Sequence, residues 1–202
     1  MGGEDRVTAL QSRLGEAGYI AERSLSASLL LFTEMQRPLL LEGDAGVGKT
    51  KVAESLHPIT LQEHGFFLRG RCDQLQTPAP YIAFVEILAD FCKSTSPSEQ
   101  SAVYQHLRER AKDEIRFIVQ LVPSFAKISG YEQDDLEEVT RYESFKRFHL
   151  IFRIFLQAIL ATNKRTVVLL DNLHLADSAS ASLLKSLVED SSLQGVLFLC
   201  TT

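Results

Sequence analysis

The chain has 202 residues, 45% of them hydrophobic, 8% aromatic and 23% charged, enough apolar material for one globular domain with a substantial core. A net charge of −5 gives no electrostatic reason to expect nucleic acid, and no run approaches the ~18 uninterrupted apolar residues of a membrane-spanning helix. Met1-Gly2-Gly3-Glu4-Asp5-Arg6 lacks a secretory layout, and Arg6 stands where a myristoylation site wants Ser or Thr. The three cysteines (Cys72, Cys92, Cys200) are widely spaced and form no metal-ligand pair, which fits a soluble cytoplasmic protein with buried, reduced thiols.

Residues 4–17 carry Val7, Leu10 and Leu14 at helical spacing, broken by Gly15 and Gly18. A broader apolar face through Leu25, Leu29, Leu30 and Phe32 predicts a helix over 20–35, ended by Arg37-Pro38. A short strand follows at 38–42. Then comes Gly43-Asp44-Ala45-Gly46-Val47-Gly48-Lys49-Thr50, which fits Gly-x-x-x-x-Gly-Lys-Ser/Thr, a phosphate-binding loop that needs a strand before it and a helix after it. That helix is predicted to run to about Leu56, with Pro58 beyond its end. Gly65 to Cys72 reads as a second strand. Thr77-Pro78-Ala79-Pro80 falls in a loop, and from there Tyr81, Phe84, Val85, Leu88 and Phe91 or Cys92 share a helical face.

Ser96-Pro97 starts another helical stretch, to about Leu121. Pro123 and Gly130 bound an irregular segment, and the acidic run 132–138 reads as a solvated loop. Over Tyr142–Thr162 the residues Phe145, Phe148, Phe152, Phe155 and Ile159 recur every three or four positions, with Lys146, His149, Arg153 and Gln157 opposite. An aromatic stripe of this kind is a core face, not a ligand box. Thr166 to Asp171 is a continuous apolar strand of the doubly covered type. Asp177 or Ser178 can cap the helix carrying Leu183, Leu184, Leu187 and Val188, and Val196 to Thr202 is the last strand. Strands alternating with helical stretches predict an α/β sandwich on a mainly parallel sheet, with ligands at the edge formed by the strands' C-terminal ends.

At that edge the residue types carry phosphate chemistry. Glycines 43, 46 and 48 let backbone N–H groups approach phosphate oxygens, Asp44, Ala45 and Val47 contribute amides, and the helix N-terminus adds its dipole. Lys49 supplies a mobile charge for the β- and γ-phosphates, and Thr50 a hydroxyl for Mg²⁺. Asp171, ending an apolar strand, is the second metal ligand; a capping Asp at a strand end is the plainer alternative. Asp177 reads as a cap before a ligand. Thr201 and Thr202 fit either a γ-phosphate contact or an ordinary strand end. Asn172 can hydrogen-bond an attacking water but cannot take its proton, so slow hydrolysis, or binding with little turnover, follows.

The loop at 43–50 together with Leu170-Asp171-Asn172-Leu173-His174-Leu175-Ala176-Asp177 resembles the AAA+/STAND signalling ATPases, such as MalT-type regulators and origin-recognition-like modules fused to kinases or cyclases. Phe67-Leu68-Arg69-Gly70-Arg71-Cys72-Asp73 and Pro80-Tyr81 are similar to that group too, as is the long interval of 122 positions from Lys49 to Asp171. Asn172 replaces that group's usual second acid, and Leu175 its usual Trp. Gly18-Tyr19-Ile20-Ala21-Glu22-Arg23 with the strand at 37–43 also resembles the MoxR branch, whose motif spacing is shorter; the resemblance implies Tyr19 and Ile20 as base contacts.

The resemblance implies a P-loop NTPase three-layer sandwich with strand order 1-4-3-2. It further implies a helical insert at about 81–162 between strands 2 and 3, and a chain truncated before a fifth strand and lid. It divides the chain into an N-terminal helical segment (1–36) and an incomplete ATPase core (37–202). The catalytic residues are then Lys49, Asp171 and Asn172; the metal ligands are Thr50 and Asp171, and Thr201 joins the nucleotide contacts. The cofactors are ATP and Mg²⁺. The partners are ATP/ADP, further domains of a longer chain or other proteins, and a second copy of the chain, with no membrane and no nucleic acid. The function implied is an ATP-binding regulatory module that hydrolyses slowly to switch attached signalling domains. The alternatives are a non-catalytic, nucleotide-stabilised interaction module and a P-loop small-molecule kinase, which would need an Arg-rich lid.

Overall fold

The computed structural model describes residues 3–16, 26, 39–41, 49–73, 80–111, 115–126 and 141–202. In chain order these form α1 (Gly3–Glu16), β1 (Leu39–Leu41), α2 (Lys49–Gln62), β2 (Phe66–Arg71), α3 (Ile82–Ser94), α4 (Pro97–Ala111), α5 (Ile115–Leu121), α6 (Arg141–Leu160), β3 (Thr166–Asp171), α7 (Ser178–Val188) and β4 (Val196–Thr201). The four strands make one parallel sheet in the order β1-β4-β3-β2. That is the predicted order, with α3 to α6 inserted between β2 and β3. The expected helix at 20–35, apart from the buried and helical Ser26, and the acidic loop at 132–138 lie outside the described residues.

Strand alternation sorts the core into two halves. Phe67, Val167, Leu169, Leu197 and Leu199 face one side, where Ala53, Leu56 and Ile59 of α2 and Leu14 of α1 bury them. Phe66, Leu68, Val168, Leu170, Phe198 and Cys200 face the other side, under the insert and α7. Helices on both faces are what lets these strands be apolar throughout.

One helix differs from the sequence reading. Helix α2 does not stop at Leu56; it continues to Gln62 with Pro58 inside it. A proline there removes one backbone donor, but Ala53, Leu56 and Ile59 are buried on the sheet and hold the helix across it. Thr60 adds a hydroxyl bond to the Leu56 carbonyl at 2.8 Å. The stretch read as helical from Pro97 to Leu121 is helical over Pro97–Ala111 (α4) and Ile115–Leu121 (α5), and residues 112–114 between them lie outside the described residues.

The aromatic stripe behaves as core. Phe148, Phe152 and Phe155 are buried, with Phe152 meeting Phe84 at 5.0 Å between ring centroids and Phe155 meeting Phe91 at 5.2 Å. Ile151, Ile154, Leu156 and Ala158 are buried too, so the C-terminal half of α6 is enclosed by more than the sheet-facing stripe.

Among the described strands β2 lies at one edge of the sheet, and side chains of α3 pair with two of its outward backbone N–H groups. Backbone N–H groups of Arg69 and Arg71 donate to Asp90 Oδ2 (2.9 Å) and Glu86 Oε2 (2.8 Å), two carboxylates one turn apart on α3. An open strand edge is a template for pairing with another chain, and these acids occupy it. Replacing both by alanine is expected to cost about 2 kcal/mol, ~1 for each hydrogen bond. It should also raise concentration-dependent association, measurable by urea unfolding and light scattering.

A second polar tether joins α4 to the turn before β3. Lys164 donates to Glu99, lies 4.7 Å from the centre of the Phe66 ring, and Glu99 also accepts from the Ser96 hydroxyl (2.7 Å) and amide (2.8 Å). Burial alone would push the Glu99 carboxyl up, but the Lys164 and Ser96 hydrogen bonds bring it down to about 2 from 4.5. Because the folded value is the lower one, this contribution is present above pH 4.5 and is lost as the pH falls toward 2. Glu99→Gln is therefore expected to flatten the acid limb of a pH–stability curve over that window.

Candidate functional site

All four strands are parallel, so Leu41, Arg71, Asp171 and Thr201 end at the same edge. Val167 and Leu169 point toward α2, as do Leu197 and Leu199; two residues on, Asp171 and Thr201 point the same way. Helix α2 opens with Lys49 and Thr50, and seven residues, 42–48, join it to β1. With strands spaced ~4.8 Å apart, Asp171 stands ~10 Å from the end of β1, with Thr201 between them.

The side chains at this edge are tied together. Thr201 is 1% exposed; its hydroxyl donates to Asp171 Oδ1 and accepts from the Asn172 N–H at 3.3 Å. Asn172 has φ 56°, ψ 44°, a left-handed conformation that Asn adopts more readily than most residues. It turns the chain out of β3 into the 3₁₀ turn Leu173–Leu175, closed by the Leu175 N–H on the Asn172 carbonyl at 2.9 Å. Asp171, Asn172 and Thr201 are thus brought together. Lys49 and Thr50 are placed at the start of the facing helix. Gly43, Asp44, Ala45, Gly46, Val47 and Gly48 lie outside the described residues, as do Tyr19 and Ile20.

Asp177 is a cap, as its sequence position suggested. Its Oδ1 accepts the amides of Ala179 (3.0 Å) and Ser180 (2.9 Å) at the start of α7. Burial would raise its carboxyl, but hydrogen bonds from Ser180, Tyr81 and Ala179 outweigh that and hold it below the usual range. The cysteines are unpaired: Cys72 and Cys200 are buried, which pushes their thiols up to about 11 and about 12. At such values neither is a nucleophile at neutral pH.

Two residues to which the sequence reading gave no role at this site also reach it. Arg71 pairs in register with Asp171, so alternation points its exposed side chain to the same face. The alternation of β2 could have revealed it. Tyr81 was read as a helix start on that helix's apolar face; its N–H also donates to Asp177 Oδ2 at 3.3 Å. No spacing rule links positions 96 apart.

The donors at the edge are hard oxygens, a carboxylate and a hydroxyl, which suit Mg²⁺ carried by a phosphate ligand. Among the described residues no cluster of three or more His, Cys, Asp or Glu is placed to hold a metal by itself. That is compatible with Mg²⁺, which commonly takes one or two carboxylates and fills its shell from phosphate and water.

A β1-β4-β3-β2 parallel sheet, a Gly-x-x-x-x-Gly-Lys-Thr link from β1 to α2, and an acid ending β3 define a P-loop nucleoside-triphosphatase fold. More narrowly, residues 25–199 match the AAA ATPase domain, and the chain belongs to that family. Nucleotide binding is what such membership implies. The chain is also 29% identical over 154 residues to hybrid signal transduction histidine kinase G of Dictyostelium discoideum, a match covering 75% of the chain. The same match covers 4% of that relative's length. No solved structure matches the chain. Among the described residues no helix is long and apolar enough to cross a membrane.

Proposed function

We propose that the chain is a Mg-ATP-binding regulatory module of the STAND kind, in which nucleotide state controls attached signalling segments. The observation that carries this reading is the Thr201–Asp171–Asn172 cluster on the α2 side of the strand-end edge. Lys49 and the amides of 43–48 hold the phosphates; Thr50 and Asp171 hold the metal; Thr201 faces the terminal phosphate or its water; Tyr19 and Ile20 of the MoxR-like segment border the base. Bound Mg-ATP supplies a γ-phosphoryl group open to attack by water. Asn172 orients that water without accepting its proton, which makes turnover slow. The relative's name, a signal transduction kinase, supports a signalling role for residues 37–202, with 1–36 as a helical segment ahead of them. Cytoplasmic location and a homo-oligomeric assembly belong to the same proposal.

The same Asn172 favours a second reading, a module that keeps nucleotide for stability and does not turn it over. One titration tests the shared core of both. The native chain with Mg²⁺ is expected to bind ATP and ADP, and Lys49→Ala to lose about 100-fold or more in affinity, as removal of a charge-assisted phosphate contact in a preorganised site does. Equal binding by the variant, or no binding by the native chain, would sink the proposal.

A further inference from the structure

Asp177 makes more contacts than a helix cap needs. Its Oδ1 alone caps α7, yet Oδ2 accepts from the Ser180 hydroxyl (2.5 Å) and from the Tyr81 N–H (3.3 Å), across 96 positions of chain. Tyr81 opens α3 with φ 66°, ψ 17°, a conformation that a bulky aromatic residue avoids without support. Tyr81 is 5% exposed, and its ring stacks on Phe148 of α6 at 4.5 Å and meets His149 edge-on at 5.5 Å. At the other end of the segment, Asn172 is left-handed too, anchored through its N–H to Thr201.

A short stretch, Asp171 to Asp177, therefore connects the phosphate edge to the insert, with a left-handed residue at each junction. The Thr201 hydroxyl has one proton. It can give that proton to Asp171, as here, or to a ligand oxygen, and the choice bears on the anchored Asn172 amide. The 3₁₀ turn between is closed by its own hydrogen bonds, Leu175 to Asn172 at 2.9 Å and Ala176 to Leu173 at 3.0 Å, so it can shift as a unit.

We propose that the segment Asp171–Asp177, clamped to Tyr81 through the Asp177 carboxylate, is the joint that carries occupancy of the phosphate edge to the helical insert. The Tyr81–Phe148 stack passes the displacement on to α6. Asp177 is a positioning residue in this device and touches no ligand. The inference rests on the nucleotide reading of Asp171 and Thr201.

The test is amide hydrogen exchange of the whole chain with and without Mg-ATP, with binding measured on the same samples. In the native chain, Mg-ATP is expected to slow exchange in 82–94 and 141–160 by roughly fivefold or more, the lower end of ordinary coupling. Asp177→Asn keeps one carbonyl oxygen for the cap but puts an amide NH₂ where Tyr81 needs an acceptor. It should bind Mg-ATP like the native chain and lose the response of the insert. Tyr81→Gly keeps the N–H, relieves the left-handed φ and removes the ring, so 82–94 should respond and 141–160 should not.

A full insert response in Asp177→Asn, or in 141–160 of Tyr81→Gly, overturns the joint. So does a native chain that binds Mg-ATP with no change in the insert, and that result leaves the nucleotide reading standing. Absence of binding removes both. Thermal unfolding of the variants establishes that each is folded under exchange conditions; should Asp177→Asn not be, Tyr81→Gly decides.

Discussion

Gly70→Ala is expected to destabilise the domain by about 3 kcal/mol or more, at or beyond the upper end of ordinary overpacking. A Cβ built on Gly70 falls 2.0 Å from the Ala83 carbonyl oxygen, 2.8 Å from its carbon and 2.9 Å from Ile87 Cγ1. The first two are backbone atoms, so no rotamer change relieves the clash; α3 must move away from β2. Moving it breaks what α3 does at that edge. The Arg69 and Arg71 amides lie on either side of Gly70, and their carboxylate partners, Asp90 and Glu86, sit one turn apart on the same helix. The substitution thus sets a steric term against two hydrogen bonds that require close approach. Urea unfolding gives the measurement, with Gly15→Ala as control. Gly15 lies inside α1 with nothing within 4 Å of an added Cβ, so there alanine should be neutral or stabilising by up to ~1 kcal/mol. An unfolding midpoint for Gly70→Ala equal to that of the native chain would show that α3 does not pack on β2 as described.

The same edge shows where sequence reading reaches and where it stops. The strands were legible because β-branched and apolar runs such as Thr166–Leu170 have few other uses, and the order 1-4-3-2 followed from the resemblance. The α6 stripe was legible because its period is local. Glu86 and Asp90 were not: acids four apart on a helix look solvated until a strand edge is placed beside them. The end of α2 was misread for a related reason. Pro58 is a strong local stop signal, and burial of Ala53, Leu56 and Ile59 on the sheet overrode it. At the candidate site, the closeness of Asp171, Asn172 and Thr201 was legible from the strand ends, since parallel strands finish together, and the phosphate-binding loop upstream singled out Asp171. Their mutual hydrogen bonds, and the reach of Asp177 to Tyr81, depend on register and insert packing, which no spacing in the chain encodes.

Asn172→Asp is expected to raise ATP turnover by at least about tenfold, toward the ~10²–10⁴ that a positioned general base contributes. The change is nearly isosteric, and Asp shares with Asn a tolerance for the left-handed conformation that position 172 holds at φ 56°. The backbone amide of residue 172, which donates to Thr201, is retained. What changes is chemistry: an amide oxygen that can only orient water becomes a carboxylate that can take its proton. A like charge beside Asp171 works against the gain by weakening ionisation of the pair, and Mg²⁺ at Asp171 would offset it. The gain should therefore depend more steeply on Mg²⁺ concentration than ATP binding does, and Asn172→Asp combined with Lys49→Ala should show none of it. Single-turnover phosphate release, with affinity measured in parallel, separates the outcomes. A rise in rate at unchanged affinity marks position 172 as the missing base of a slow ATPase. Unchanged turnover with binding intact would instead favour a module that holds its nucleotide without spending it, and would move the search for function from the strand-end edge to the helical insert.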